Sequence, residues 1–182
     1  MLNRTQRKIL IEMAKKAILA ELQGVPLSMP TITDSALLEH RGAFVTLKIN
    51  GQLRGCIGTF VATKPLIEVV ADMAVQAAFH DPRFRPLTPS EFDQIEVEIS
   101  VLSPLREIDS IDEIEVGKHG IYIIKGPYHG VLLPQVATEY GWDRNQFLDQ
   151  TCIKAGLWPG CWKDPDTKIL IFSAEVFDET SL

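Results

Sequence analysis

Apolar residues recur at helical spacing in two long stretches of the chain. In the first stretch, the pattern predicts a helix from about Arg4 to Gln23. Asn3 is placed to cap this helix, and Gly24 is placed to end it. The second stretch, Pro65–Phe79, is apolar except for one narrow stripe formed by Glu68, Asp72 and Gln76. We therefore predict that the second helix is buried over most of its surface and packs on a sheet.

Apolar and β-branched stretches elsewhere predict strands. Turn residues separate two pairs of them closely enough for hairpins, around Asn50-Gly51 and around residues 126–130. Shorter helices are predicted at residues 35–39, 135–140 and 144–155. Together these elements predict an α+β fold with a largely antiparallel sheet flanked by helices. The six predicted strands are Ala43–Ile49, Leu53–Ile57, Ile95–Leu102, Ile121–Lys125, Val131–Leu133 and Lys168–Phe177.

The register of the first hairpin can be argued from which residues are apolar. A two-residue turn with uninterrupted pairing would place Arg54 opposite Leu47, on the apolar face. A three-residue loop, Ile49–Gly51, pairs Leu47 with Leu53 instead. We therefore predict the three-residue loop, with Gly51 at positive φ.

Composition and charge narrow the class of protein. The 182 residues suffice for one domain, or for one domain with a small lobe. The net charge of −6 argues against a broad phosphate-binding surface, so non-specific nucleic-acid binding is not expected. No apolar run approaches the ~20 residues of a membrane span, and the first residues form a helical pattern rather than a signal peptide. These features predict a cytoplasmic protein that does not enter a membrane.

The cysteines and histidines are scattered. Cys56, Cys152 and Cys161 are odd in number and have no repeated spacing, which does not indicate a disulfide framework and favours a reducing compartment. Cys152 is expected in the core. Neither the cysteines nor the four histidines show the spacing of a metal site, so we predict no metal and no cofactor.

The run Leu53–Thr59, with the sequence LRGCIGT, is the most informative stretch of the chain. Arg54 and Cys56 share a strand face, and a neighbouring cation makes a thiol more reactive. The interpretation as a small buried cysteine stays open beside it. Gly55 and Gly58 either let a ligand lie against the backbone or mark a bulge that ends the strand. We assign Arg54, Gly55, Gly58 and Thr59 to a candidate ligand site.

The loop after the second helix supplies the other candidates. Asp81 and Arg83 lie in a proline-stiffened segment, where an arginine could clamp a carboxylate or phosphate. The alternative is an internal salt bridge between Asp81 and an arginine. His80 is the first choice of base for a catalytic Cys56. We predict that this loop and the signature strand converge on one cleft.

The chain resembles the AMMECR family in these and other runs. The LRGCIG run is the signature of that family. The resemblance implies a two-lobed α+β fold with a cleft near the signature, and a genomic association with a MEMO-like protein and a radical-SAM protein. We expect one domain over residues 1–182 with a smaller lobe around 109–134. The matching runs are Leu53–Thr59, Ala77–Phe84, Glu98–Leu102, Leu132–Val136 and Phe147–Gly156.

Two functions are compatible with these features. The first is an accessory protein that binds a small molecule, a peptide or a partner, acting with the MEMO-like and radical-SAM proteins. The second is an enzyme that uses Cys56, with Arg54 and Arg83, on a small anionic or nucleotide-like substrate. Because the sequence holds no complete catalytic motif, it favours binding and leaves open whether the chain is an enzyme.

Overall fold

The computed structural model describes all residues from Met1 to Leu182. The chain divides into two compact units, one formed by residues 1–102 with 175–182 and the other by residues 103–174. The fold is α+β, and the paired strands within each unit run antiparallel. The single-domain organisation expected from the sequence stays a prediction.

The first unit packs its longest helices on one face of its sheet. Its elements are α1 (Arg4–Gln23), α2 (Ser35–Leu38), β1 (Ala43–Ile49), β2 (Gln52–Thr59), α3 (Leu66–Phe79), α4 (Pro89–Phe92) and β3 (Ile95–Leu102), with the end of the last strand, β7 (Lys168–Asp178). Strand β1 lies between β2 and β3, and α1 and α3 cover the apolar face of these strands.

Both long helices agree with the sequence prediction. Asn3 and Gln6 form the reciprocal cap of α1, and Gly24 closes that helix in the left-handed conformation at φ 64°. Helix α3 begins one residue later than predicted, because Pro65 is its N-cap. Its exposed residues are Glu68, Asp72 and Gln76.

The predicted register of the first hairpin is wrong. The turn has two residues, Asn50 and Gly51, both at positive φ (52° and 74°), and Ile49 pairs with Gln52. Two positive φ values match the twist of the flanking strands, which favours the short turn. Gly51 does have the predicted positive φ. The apolar face is kept by a bulge in β2 rather than by a longer loop.

The second unit has the same kind of construction on a smaller scale. Its elements are β4 (Arg106–Glu107), β5 (His119–Lys125), β6 (Tyr128–Leu132), α5 (Pro134–Tyr140) and α6 (Arg144–Lys154), with the part of β7 that ends at Ala174. Strand β5 lies between β6 and the first part of β7, and β4 pairs with the opposite edge of β7. Helices α5 and α6 contact the β5–β6 hairpin and share its apolar core.

Two expectations for this unit are corrected. The turn of its hairpin is Gly126-Pro127 rather than residues 126–130, so β6 begins at Tyr128. Cys152 lies in the core as expected, but it is bonded to Cys161 by a disulfide, and both are fully buried. The spacing of nine residues carries no motif that would have indicated the bond, because it depends on the chain folding back after α6.

Candidate functional site

A bulge in β2 decides where Arg54 lies. Lys48 pairs with Leu53 and Leu47 pairs with Gly55, so Arg54 has no partner on β1. The extra residue shifts the register by one and returns Gly55 and the residues after it to the faces that the apolar pattern requires. The hairpin therefore combines a tight turn with an apolar face, because Arg54 is the extra residue of the bulge and does not occupy a position on that face.

The displaced arginine is fixed by polar contacts. Its Nε donates to Oε2 of Glu91 at 2.7 Å, and its Nη2 donates to Oε1 of Glu91 at 3.2 Å and to the carbonyl oxygen of Arg85 at 2.8 Å. Only 14% of the Arg54 side chain is exposed. Two-point pairing with a carboxylate fixes both the position and the plane of a guanidinium.

A buried carboxylate joins the signature strand to the loop after α3. The Asp81 side chain is 2% exposed. It accepts the backbone N–H of Cys56 at 3.0 Å and that of Arg83 at 3.1 Å. The guanidinium of Arg83 donates to the same carboxylate through Nε at 3.0 Å and Nη2 at 2.7 Å. The signature strand and the loop after α3 therefore meet through direct contacts, whereas a single cleft faced by Arg54, Cys56 and Arg83 together stays a prediction.

These contacts also close the edge of a sheet. Strand β2 is an outer strand, and the N–H and C=O groups of Cys56 point away from β1. Asp81 accepts this N–H, and Nη2 of Arg83 donates to this carbonyl at 3.4 Å. An ion pair therefore takes the place of a further strand, which protects the edge from pairing with another chain.

Both carboxylates are held in the ionised form. Hydrogen bonds from Arg83 hold the pKa of Asp81 well below its usual range, and the Cys56 N–H acts in the same direction, against the effect of burial. Hydrogen bonds from Arg54, assisted by Thr88, lower the pKa of Glu91 to about 2, again against burial. Neither carboxylate is therefore suited to accept or donate a proton near neutral pH.

A ring lies beside the two guanidiniums. The Cζ atoms of Arg54 and Arg83 are 5.8 Å and 5.5 Å from the centre of the Phe84 ring, within the range of cation–π contacts. An open pocket of about 570 Å³, here called the Arg54 pocket, adjoins them. It is lined by Arg54, Phe84, Arg85, Pro86, Thr88 and Glu91.

The two residues predicted for catalysis are not joined by a hydrogen bond. The Cys56 thiol is partly buried and contacts Oγ1 of Thr46, its cross-strand neighbour, at 3.2 Å. His80 lies at the end of α3, where its backbone N–H donates to the carbonyl of Gln76 and its side chain is exposed. The thiol therefore has a hydroxyl as its polar neighbour rather than an imidazole.

The three other residues predicted for the ligand site, Gly55, Gly58 and Thr59, make contacts within the protein. A Cβ atom at Gly55 would overlap the carbonyl oxygen of Ala77, because the last turn of α3 lies directly on the strand. A Cβ atom at Gly58 would overlap the Phe44 ring. The Thr59 hydroxyl donates to the carbonyl of Val61 at 2.8 Å. The absence of a side chain thus serves close packing at both glycines.

The sequence prediction missed Glu91 and gave Phe84 no role, while Arg85 was placed in the candidate loop without being assigned to the site. A local signal for Glu91 existed, since Thr88 and Glu91 form a capping box at the start of α4. Nothing in that signal indicates that the same carboxylate also holds Arg54, because the contact spans 37 residues. No group of three or more His, Cys, Asp or Glu side chains is arranged to hold a metal ion. None of the helices has the length and apolar character needed to cross a membrane.

Comparisons with known proteins identify the family. The AMMECR1 family model matches residues 11–177. A protein of Methanothermobacter thermautotrophicus is 44% identical over 185 residues, covering 98% of this chain and 96% of the relative. One of Aquifex aeolicus is 41% identical over 177 residues, covering 93% and 91%.

A solved structure has the same fold as this chain. The crystal structure of uncharacterized protein PH0010 from Pyrococcus horikoshii superposes with a TM-score of 0.80 at 42% identity, covering 94% of this chain and 90% of that one. The chain belongs to the AMMECR1 family.

Proposed function

We propose that this chain is an accessory protein that binds a ligand or partner through the Arg54 pocket and acts with a MEMO-like protein and a radical-SAM protein. The observation that carries the proposal is the convergence of the signature strand and the Asp81–Arg85 loop on that pocket. Its volume of about 570 Å³ lies within the range of ligand-binding clefts. The two protein partners come from the family resemblance.

The residues divide into those that meet a bound group and those that hold them. Arg54, Arg85 and Phe84 line the pocket and offer charge and an aromatic surface. Glu91 fixes the Arg54 guanidinium, so this cation is in place before binding and little of its side-chain entropy is lost on contact. Arg83, held by Asp81, contacts the Phe84 ring and does not line the pocket. Such preorganisation supports a recognition site.

The contacts favour binding over thiol chemistry. A cysteine nucleophile is activated by a base in contact with it or by a neighbouring cation, and the hydrogen-bond partner of the Cys56 thiol is the Thr46 hydroxyl. The two carboxylates of the site are ionised and engaged by arginines, so neither serves as that base. An enzyme that used His80 as the base would require this side chain to leave its exposed position and approach Cys56.

A cytoplasmic location stays part of the proposal, and the Cys152–Cys161 disulfide weighs against it. Disulfides are rare in reducing compartments, with the intracellular proteins of hyperthermophiles as the main exception. A disulfide that is fully buried is also poorly accessible to cellular reductants. Measuring whether Cys152 and Cys161 are bonded or free in protein taken directly from cells would decide between an oxidised and a reduced form of this pair.

The proposal is tested by capture of the two partners. The full chain is immobilised, and the MEMO-like and radical-SAM proteins encoded in the same genome are passed over it, singly and together. We expect saturable binding that Phe84→Ala weakens and Tyr140→Ala leaves unchanged. Tyr140 is a matched control because it is an exposed aromatic residue of the second unit, stacked on Trp142.

Two results would contradict the proposal. One is the absence of saturable binding of either protein, combined with no co-purified small molecule in native mass spectrometry of the unmodified chain. The other is equal capture by the Phe84→Ala variant with its fold intact by circular dichroism. The second result would move the binding surface away from the Arg54 pocket.

A further inference from the structure

The outer edge of β6 is open. Strand β6 is the last strand of its sheet and pairs with β5 alone. Beside a two-residue turn the first pair of residues is hydrogen-bonded, and along the strand residues then alternate between facing the partner strand and facing away from it. The N–H and C=O groups of His129 and Val131 therefore point away from β5, and no other backbone group of the protein pairs with them.

This edge lacks the protection that closes the other outer strand. On β2, Asp81 accepts the outward N–H of Cys56, and Arg83 donates to the carbonyl of the same residue. Proteins also protect edges with bulges, prolines or lysines within the strand. The register of β6 is regular, and its residues include neither proline nor lysine. An open edge of this kind is where an extended segment adds to a sheet as a further strand.

Two exposed aromatic side chains lie at the same hairpin. Tyr128 of β6 is 52% exposed, and Trp158 is 51% exposed. Lys125 connects them, because it is the cross-strand partner of Tyr128 and its Nζ atom lies 5.6 Å from the centre of the Trp158 ring. Tyrosine and tryptophan are the residue types that contribute most to binding energy at protein interfaces. The two rings therefore offer side-chain contacts beside the open backbone groups.

The charge beside the edge distinguishes between two occupants. The backbone of Lys154 lies against Gly130 of β6, and the exposed Lys154 side chain forms no ion pair. A second copy of this chain, paired through its own β6, would bring two such lysines into one interface. Like charges across an interface oppose association. An extended peptide that carries a carboxylate would instead complement this lysine.

We propose that the outer edge of β6 binds an extended peptide segment of another protein as a further strand. An aromatic or apolar side chain of the peptide lies against Tyr128 and Trp158, and a carboxylate of the peptide lies near Lys154. The outward N–H and C=O groups of β6 bond to the peptide backbone, so binding requires free N–H groups on the peptide. This surface belongs to the second unit and adds a binding site to that of the proposed function.

The test selects random peptides of about seven residues, the length of an ordinary strand, from a displayed library on the full chain. A selected peptide is then synthesised and titrated into the chain by ¹H–¹⁵N NMR. We expect saturable binding with the largest amide shifts at His129 and Val131, and selected sequences with an acidic residue near an aromatic or apolar one. The same peptide with N-methyl groups on alternate residues, in either phase, is the control. One of the two phases should bind at least about tenfold more weakly, because its N–H groups no longer reach the strand.

Two pairs of variants separate backbone pairing from side-chain contact. His129→Pro removes an outward N–H without removing a bond to β5, and proline is tolerated at such an edge position. His129→Ala keeps that N–H. We expect the proline variant to weaken binding by more than about tenfold and the alanine variant to leave it nearly unchanged. Trp158→Ala should weaken binding about tenfold, whereas Tyr140→Ala, which removes an exposed ring stacked on Trp142, should not.

The inference is overturned if the library yields no peptide that binds saturably, if both N-methylated forms bind as tightly as their parent, or if a folded His129→Pro variant binds like the unmodified chain. A dimer of the free chain that His129→Pro dissociates would also overturn it, because a second copy would then cover the edge. The N-methyl comparison uses the unmodified chain, so it decides the matter even where the proline variant does not fold. Partner capture with Phe84→Ala tests the Arg54 pocket separately.

Discussion

The two units contain outer strands that pack on a helix in the same way and are secured differently. In the first unit, Gly55 of β2 lies against the backbone of α3 at Ala77. In the second, Gly130 of β6 lies against the end of α6 at Ala155. At both places a Cβ atom would overlap backbone atoms of the helix. Glycine is therefore required by close approach rather than by an unusual φ.

The segments that follow these two helices are held in different ways. After α3 the chain is bound to the outer strand through a charged loop, in which Asp81 accepts from the Cys56 N–H and pairs with Arg83. After α6 the chain is bound back to the helix itself by the buried Cys152–Cys161 disulfide. A covalent bond leaves no charge behind, whereas an ion pair requires buried carboxylates and brings guanidiniums to the surface. The first unit thus obtains a recognition site from the same contacts that secure its edge strand.

The largest loss of stability is expected when the glycine that contacts a helix backbone is replaced in either unit. Gly55→Ala and Gly130→Ala should each destabilise their own unit by about 3 kcal/mol or more, because helix backbone has to move. Amide hydrogen exchange resolved by unit measures this directly. Gly24→Ala is the contrasting variant: no atom lies near its Cβ position, so only the strain of φ 64° opposes it. If Gly55→Ala were tolerated without loss of stability, the close packing of α3 on β2 would be refuted.

The next effect concerns the disulfide. Replacing Cys152 and Cys161 by Ala should lower the free energy of unfolding of the second unit by about 2–3 kcal/mol, the value for a closed loop of this length. A reductant present while the chain is unfolded should have a similar effect on the unmodified chain and none on the double variant, because unfolding exposes the buried disulfide. Two free thiols at these positions in the native protein, detected by mass spectrometry, would remove this half of the comparison.

A smaller effect is expected for the ion pair. Asp81→Asn should cost about 1–3 kcal/mol at neutral pH, since the charged hydrogen bonds to Arg83 are lost. Asp72→Asn, which breaks an exposed pair with Lys64, should leave the stability nearly unchanged and serves as the control, because solvent screens this pair. Urea titrations of both variants give these values.

The pH dependence of this difference has a definite sign. The pKa of Asp81 is lower in the folded state than in the unfolded state, so its contribution is complete above the unfolded pKa of about 4. It is lost as the pH falls below that value. The stability gap between the unmodified chain and Asp81→Asn should therefore be constant from neutral pH to about pH 5 and shrink below about pH 4. A gap that widened on acidification would contradict the ion pair.

Local patterns predicted the elements well. The bounds of α1, β1 and β3 were predicted to the residue, because caps and apolar periodicity act over a few positions. The hairpin register was predicted from the apolar face with only the loop length allowed to vary, and it was wrong because a bulge was not considered. The chain satisfied both the turn and the apolar face by inserting Arg54 as a bulge. A charged residue at a position that alternation assigns to the core was the available signal for that bulge.

The site was predicted only in part. Arg54, Asp81 and Arg83 were singled out, and the structure brings them together. Glu91 was not, because its contact with Arg54 depends on the placement of α4 beside the hairpin, which no local pattern encodes. Gly55 was considered as ligand backing, whereas the space above it is taken by α3.

The central claim, that Asp81 binds the outer edge of the signature strand, is tested most directly by hydrogen exchange at the Cys56 amide. Gly58 is the internal reference: its amide points to the same outer side two residues on and has no acceptor. In the unmodified chain the Cys56 amide should exchange more slowly than that of Gly58 by more than about tenfold, and Asp81→Ala should abolish the difference. Equal exchange at the two amides of the unmodified chain would contradict the claim.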